Sequence, residues 1–246
     1  MTESGHKGEN MRVLVTGSTQ GIGKAVAAAL AERGYEVIVH CSRDAEKARR
    51  VKEEIGAFSS VVCDLSRLDE VKGLHGATGD VDCLILNASI QNKEKWTEVS
   101  IESLEKQITV NLESTLLLMQ AYYPAMADRG FGRIITVGSV NQHRRHPELS
   151  VYSATKCAVM SLVKNIAKEA APYGVTVNNV APGAIATPRN AEVYNDPEKR
   201  RAVEEIIPLG RFGRVEDCVG AILLLCSEEG SYITGADIII DGGMSL

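Results

Sequence analysis

The sequence predicts an α/β fold, a doubly wound sheet of about seven parallel strands with helices on both faces, built as one domain over residues 11–246. Two patterns lead there. Short β-branched apolar runs alternate with helical patterns along the whole chain, and the first run passes through a glycine-rich turn into an alanine-rich helix. Composition agrees: 44% hydrophobic residues and only 4% aromatic ones suit small side chains that pack helices tightly on a sheet.

Taken in order, strands are expected near 11–16, 36–40, 58–63, 82–86, 132–138, 174–180 and 236–240. They are short and apolar on both faces, as buried parallel strands must be. Helices are expected at 22–33, 44–55, 101–126, 151–171 and 215–226. No repeat or low-complexity stretch interrupts them. In such a sheet ligands bind beyond the carboxyl ends of the strands, so Asn87, Ser139 and Pro182-Gly183, each just past a strand, are expected to line one crevice.

Several functions are disfavoured. A net charge of −5 and the lack of a basic stripe interleaved with aromatics argue against nucleic acid or an anionic membrane surface. No apolar run reaches the ~18 residues of a membrane span. Residues 1–10 are polar, without the apolar stretch of a signal peptide, and are expected to form a disordered tail on a cytoplasmic protein. The six cysteines have no Cys-x-x-Cys spacing and suit core filling in a reducing compartment, and the five histidines show no ligand spacing, so no metal is expected.

Two motifs carry chemistry. Gly17-Ser18-Thr19-Gln20-Gly21-Ile22-Gly23 lies between the first strand and helix, the setting of a Rossmann-type dinucleotide loop. Gly17 allows the turn, Gly21 lets the backbone approach a pyrophosphate and Gly23 allows helix and strand to pack closely, while free N–H groups at the helix start face the phosphates. Tyr152 and Lys156 lie four residues apart, on one helical face. A lysine ammonium beside a phenol favours the phenolate, which lets the tyrosine exchange protons near neutral pH.

With these motifs the chain resembles the short-chain dehydrogenase/reductase family from Met11 to Met244. Thr16 to Gly23 matches its nucleotide loop, and Asp64-Leu65 the aspartate segment at the adenine. Asn87-Ala88 matches the loop after the fourth strand, and Asp241-Gly242-Gly243 the carboxy-terminal signature. Asn111, Ser139, Tyr152 and Lys156 match the catalytic tetrad. Pro182-Gly183, with Ile185 and Thr187, matches the segment over the nicotinamide, and 187–213 the mobile substrate lid. The resemblance implies hydride transfer between a nicotinamide and a carbonyl or secondary alcohol. Tyr152 would exchange the proton, Ser139 would hydrogen-bond the reacting oxygen, Lys156 would bind the nicotinamide ribose, and Asn111 would hold a water of the proton relay. It also implies a homotetramer or homodimer formed through the long helices.

An acidic residue ending the second strand would bind the ribose of NAD and repel the extra phosphate of NADP. Cys41 stands there instead, followed by Ser42 and Arg43, which can hydrogen-bond and pair with that phosphate, so NADP(H) is preferred over NAD(H). Gln20 departs from the basic residue of many NADP-preferring relatives. The polar loops 89–96 and 140–149, with Gln91, Asn141 and His143 beside Ser139 and Tyr152, suit a sugar, polyol or hydroxy acid. The alternatives are a 3-oxoacyl-(acyl-carrier-protein) reductase and a non-catalytic nucleotide-sensing protein. Gly130 and Tyr173 stand where carrier-docking reductases often have basic residues, and Ser89 replaces the family's usual glycine.

Overall fold

Strand and helix alternate through the computed structural model, which describes residues 11–246; the expected tail at 1–10 lies outside the described residues. The elements are β1 (Arg12–Val15), α1 (Gly21–Glu32), β2 (Glu36–Cys41), α2 (Ala45–Ile55), β3 (Ser59–Val62), α3 (Leu68–Thr78), β4 (Cys83–Leu86), α4 (Ile101–Ile108) and α5 (Ser114–Arg129). They continue with β5 (Gly132–Val137), α6 (Ser150–Ala170), β6 (Val175–Pro182), α7 (Ala191–Tyr194), α8 (Pro197–Glu205), α9 (Val215–Cys226) and β7 (Asp237–Ile240). All seven strands run parallel in the order β3-β2-β1-β4-β5-β6-β7.

The period-2 alternation of a strand divides the core in two. Leu14, Ile38, Leu84, Ile134 and Val177 face one layer with α3, α5 and α6, while Val13, Val15, Val37, Ile85 and Ile135 face the other with α1 and α9. The central strands β4, β5 and β6 are buried throughout. The edge strands keep exposed apolar side chains, Val62 on β3 and Ile239 on β7. Helix ends follow local chemistry: Asp44, Ser100 and Asp196 accept hydrogen bonds from the first turns of α2, α4 and α8, and Gly56 closes α2 in the left-handed conformation.

The structure departs from the expected elements in three places. The helix expected over 101–126 is broken by a π turn at Thr109–Glu113, where Ser114 Oγ donates to Val110 O at 2.7 Å and Thr115 Oγ1 to Asn111 O at 2.9 Å. Such back-bonding hydroxyls loosen the regular ladder. Helix α3 carries Gly73 and Gly76, which dilute its apolar signal. Within the expected lid, Pro188 starts a 3-10 turn and Pro197 starts α8, so both act as helix starters. No helix of the described residues is long and apolar enough to cross a membrane.

Leu84 is fully buried at the centre of the sheet. Leu84→Ala should lower unfolding free energy by about 2–5 kcal/mol, read as a fall in the urea midpoint at unchanged slope.

Candidate active site

The loop between β1 and α1 is held from both neighbouring strands. Gly17 and Gly21 have φ of 65° and 56°, where a side chain would be strained. Asn87, just past β4, donates through Nδ2 to Thr16 O (2.9 Å) and Gly17 O (3.2 Å), and Thr16 Oγ1 accepts from the N–H groups of Asn87 and Ala88, both at 3.0 Å. A Cβ at position 23 would stand 2.5 Å from Asn87 Nδ2 and 2.6 Å from Gly17 O, so Gly23 makes room for this junction.

From the other side, buried His40 on β2 accepts the Gly17 N–H at Nδ1 (3.0 Å), and its own N–H donates to Ser18 Oγ (2.9 Å). Its Nε2 lies 3.0 Å from Cys63 O. A neutral ring with the proton on Nε2 satisfies both partners, and burial pushes His40 down to about 4. The sequence signal of this tie is a single histidine inside an otherwise apolar strand, which carries no motif.

One crevice of about 640 Å³ crosses the carboxyl ends of the strands. Of the residues expected at the cofactor, Gly17, Thr19, Gln20, Gly21, Ile22, Ser42, Arg43, Asp64, Leu65, Asn87, Ala88, Tyr152, Pro182, Gly183, Ile185 and Thr187 line it. Ser18, Gly23 and Lys156 do not. Ser18 and Gly23 pack beneath the loop, where Ser18 is fully buried against His40, and Lys156 is buried behind Tyr152. The first turn of α1 has no side-chain cap, which leaves its N–H groups for an anion.

At the adenine end, Arg43 is paired with Asp64, with Nε at 2.8 Å and Nη2 at 2.7 Å from Oδ2. Burial alone would raise the Asp64 carboxyl, but hydrogen bonds from Ser66 and Arg43 leave it below its ordinary value. Lys47 Nζ donates to Gln20 Oε1 at 2.8 Å and also lines the crevice. Lys47 therefore brings a cation to Gln20, the position where the loop itself lacks one.

The tetrad residues occupy the middle. Tyr152, in the first turn of α6, is almost fully buried in the crevice wall. Lys156, one turn on, lies behind it with Nζ 5.7 Å from the Tyr152 ring centroid and donates to Val137 O at 2.8 Å. Burial, and after it the charge of Arg189, brings Lys156 down to about 7. Ser139 lines the crevice, and its Oγ accepts the Asn141 N–H at 3.2 Å.

Asn111 sits on the π turn behind the site. Its Nδ2 donates to Ile90 O (2.9 Å) and Thr155 Oγ1 (3.1 Å), and its Oδ1 accepts the Ile90 N–H (2.9 Å). The side chain thus ties the loop after β4 to α6, with both amide hydrogens used inside the protein.

Of the residues expected at the substrate, Gln91 and Asn141 line the crevice. His143 does not: its Nε2 lies 2.9 Å from Asp237 Oδ2, turned to the far side of the loop. In its place stand Lys93, Lys106, His146 and Arg189. Arg189 reaches across from the lid, with Nη2 donating to Ser89 O at 2.7 Å and Ser89 Oγ at 3.1 Å. Burial, opposed by Glu148 and reinforced by Lys93 and Arg144, lowers the proton affinity of His146. Asp64 is the only acid among the described residues lining the crevice.

The family model described as enoyl-(acyl carrier protein) reductase matches residues 17–245. A 3beta-hydroxysteroid dehydrogenase 1 of Eggerthella lenta is 37% identical over 243 residues, 95% of this chain and 93% of the relative. A solved short-chain dehydrogenase/reductase family protein superposes with a TM-score of 0.91 at 33% identity, covering 98% of this chain and 100% of the other. A gluconate 5-dehydrogenase from Burkholderia cenocepacia, solved with NADP and tartrate, gives 0.89 at 31% identity over 96% of each chain. The chain belongs to the short-chain dehydrogenase/reductase family. It is an NAD(P)-dependent oxidoreductase acting on CH–OH or C=O groups.

The His40 tie predicts an acid limb. Between pH about 4 and 6.5 the unfolded chain binds a proton at His40 and the folded chain does not, so stability rises with pH across that window and is lost on acidification. His40→Leu should cost about 1–3 kcal/mol by leaving the Gly17 N–H unpaired. Urea midpoints taken across the window should show a shallower acid limb than in the parent protein.

Proposed function

We propose that this chain moves a hydride between NADP(H), preferred over NAD(H), and a carbonyl or secondary alcohol of a small polar substrate, with a hydroxy acid or its keto form favoured over a neutral sugar or polyol. The observation that carries the reading is the arrangement of charge along the crevice. Cations stand at both ends, Arg43 and Lys47 beside the nucleotide loop and Lys93, Lys106 and Arg189 at the substrate end, where His146 adds a hydrogen-bonding ring, with Tyr152 between them.

The residues present fit a dinucleotide. The glycine loop and uncapped α1 offer N–H groups to a pyrophosphate, and Asp64 with Leu65 would face the adenine. Arg43 can turn from Asp64 toward a 2′-phosphate that Ser42 and Lys47 also approach. When bound, the nicotinamide supplies or accepts the hydride.

The chain's own residues handle the proton and the oxygen. Tyr152 gives its phenolic proton to the developing alkoxide in reduction, or takes one from the alcohol in oxidation. Lys156, which burial brings down to about 7, is favoured as the ammonium by negative charge beside it and in that form steadies the phenolate. Ser139 has one lone pair held by the Asn141 N–H, so its own proton is free to donate to the reacting oxygen. Asn111 keeps α6 in register with the opposite wall through Thr155, whose Oγ1 donates to Tyr152 O at 2.7 Å.

A steroid, the substrate named for the Eggerthella lenta relative, is a poorer fit to a substrate end lined by four basic side chains. The tartrate held by the gluconate dehydrogenase is a hydroxy acid. Docking of an acidic carrier protein lacks its cations: Gly130 and exposed Tyr173 stand at the two positions, and neighbouring Arg129 is paired with Asp80 and Asp82. The complete tetrad disfavours a non-catalytic sensor.

Tyr152→Phe should retain NADPH binding and lose turnover by about 10²–10⁴-fold; full turnover of any accepted substrate by this variant would overturn the mechanism. Arg43→Ala and Lys47→Ala should each weaken NADPH binding, measured by fluorescence titration, while changing NADH binding little. Equal losses for both cofactors would remove the assigned preference.

A further inference from the structure

We propose that Asp237, on the edge strand β7 and outside the crevice, is a positioning residue for the Ser139 hydroxyl and acts through Gln142. The inference rests on the reading of Ser139 as the donor to the reacting oxygen.

Asp237 is the hub of a polar chain. Its Oδ1 accepts Asn179 Nδ2 at 2.6 Å, and its Oδ2 accepts Gln142 Nε2 at 3.2 Å and lies 2.9 Å from His143 Nε2. Gln142 Oε1 in turn accepts the Ser139 N–H at 2.8 Å. Asn179 Oδ1 accepts from Thr136 Oγ1 at 2.6 Å, which anchors the hub to β5. The side chain of Asp237 is only 14% exposed, so these bonds are poorly replaced by water.

The carboxylate determines the direction of the chain. An ionised carboxylate only accepts, so the NH2 groups of both Gln142 and Asn179 must face it. That leaves Gln142 Oε1, an acceptor, against the Ser139 N–H. The geometry depends on position 138 having no side chain: a Cβ there would lie 2.0 Å from Gln142 Oε1 and 2.6 Å from Asn179 Nδ2.

Ser139 is thereby pinned at two points. Its N–H is held by Gln142, and its Oγ accepts the Asn141 N–H as the cap of the 3-10 turn Val140–Gln142. With the backbone and one lone pair fixed, the hydroxyl proton keeps two of its three tetrahedral directions and can turn to an oxygen held in the crevice. A misplacement of a catalytic group by about 1 Å can cost 10²-fold in rate, so loosening this mount should appear in turnover before it appears in folding.

The test is a double-mutant cycle on the full chain. Gln142→Met removes the relay at similar volume, and Asp237→Asn keeps the shape of the hub but turns one acceptor into a donor. Each should lower kcat about 10- to 100-fold with NADPH binding essentially unchanged. In a Ser139→Ala background each should change the residual rate by less than about twofold. The same fold loss in both backgrounds, or an unchanged kcat, would overturn the proposal. A second measurement does not depend on turnover: hydrogen exchange at the Ser139 amide should quicken in both variants while the β6 amides stay protected. An unaltered Ser139 amide would also overturn it. Failure of the underlying reading would appear separately, as full activity in Ser139→Ala alone, and leaves the exchange result free to decide this mount.

Discussion

A parallel sheet requires every strand to be reached by a crossover, and the consequence is that all carboxyl ends meet along one edge. Everything described at the crevice depends on that constraint. Asn87 can reach back to Thr16 and Gly17 only because β1 and β4 are neighbours that end together. Lys156 can reach Val137 O only because β5 ends beside α6. The crossovers put hydrophobic layers on both faces and leave the loops at this edge to satisfy their polar groups among themselves.

They do so with buried groups that trade solvation for position. His40 is kept neutral between a donor and an acceptor, so it braces the nucleotide loop without adding charge near a phosphate site. Burial of Lys156, and after it the charge of Arg189, brings its proton affinity down to about 7. The two groups illustrate opposite uses of burial. One removes a charge that would interfere, and the other holds a charge that becomes favourable when an anion arrives.

The sheet, the glycine loop and the four tetrad residues were legible in the sequence because each demands particular residue types at a fixed spacing. What was hidden depends on which way a side chain turns. Ser18 and His143 were assigned to the right loops but face away from the crevice, toward His40 and Asp237. Lys47 and Lys106 look like ordinary helix-surface lysines until the fold turns them toward the crevice. The π turn was hidden in a helical pattern, since hydroxyl back-bonding from Ser114 and Thr115 leaves no trace in hydrophobic periodicity. Asp237 and Gln142 stand 95 residues apart, and no local pattern joins them.

The bond from Arg189 to Ser89 spans the mouth of the crevice from the lid to the loop after β4. The lid beneath it already holds its short helices, with Ile207 and Phe212 buried. These few anchors hold the segment at its carboxyl side, while α7 and α8 bury no residue of their own. Across the mouth itself the contact is one arginine on one serine, so widening the crevice there requires Arg189 to exchange the Ser89 oxygens for other acceptors.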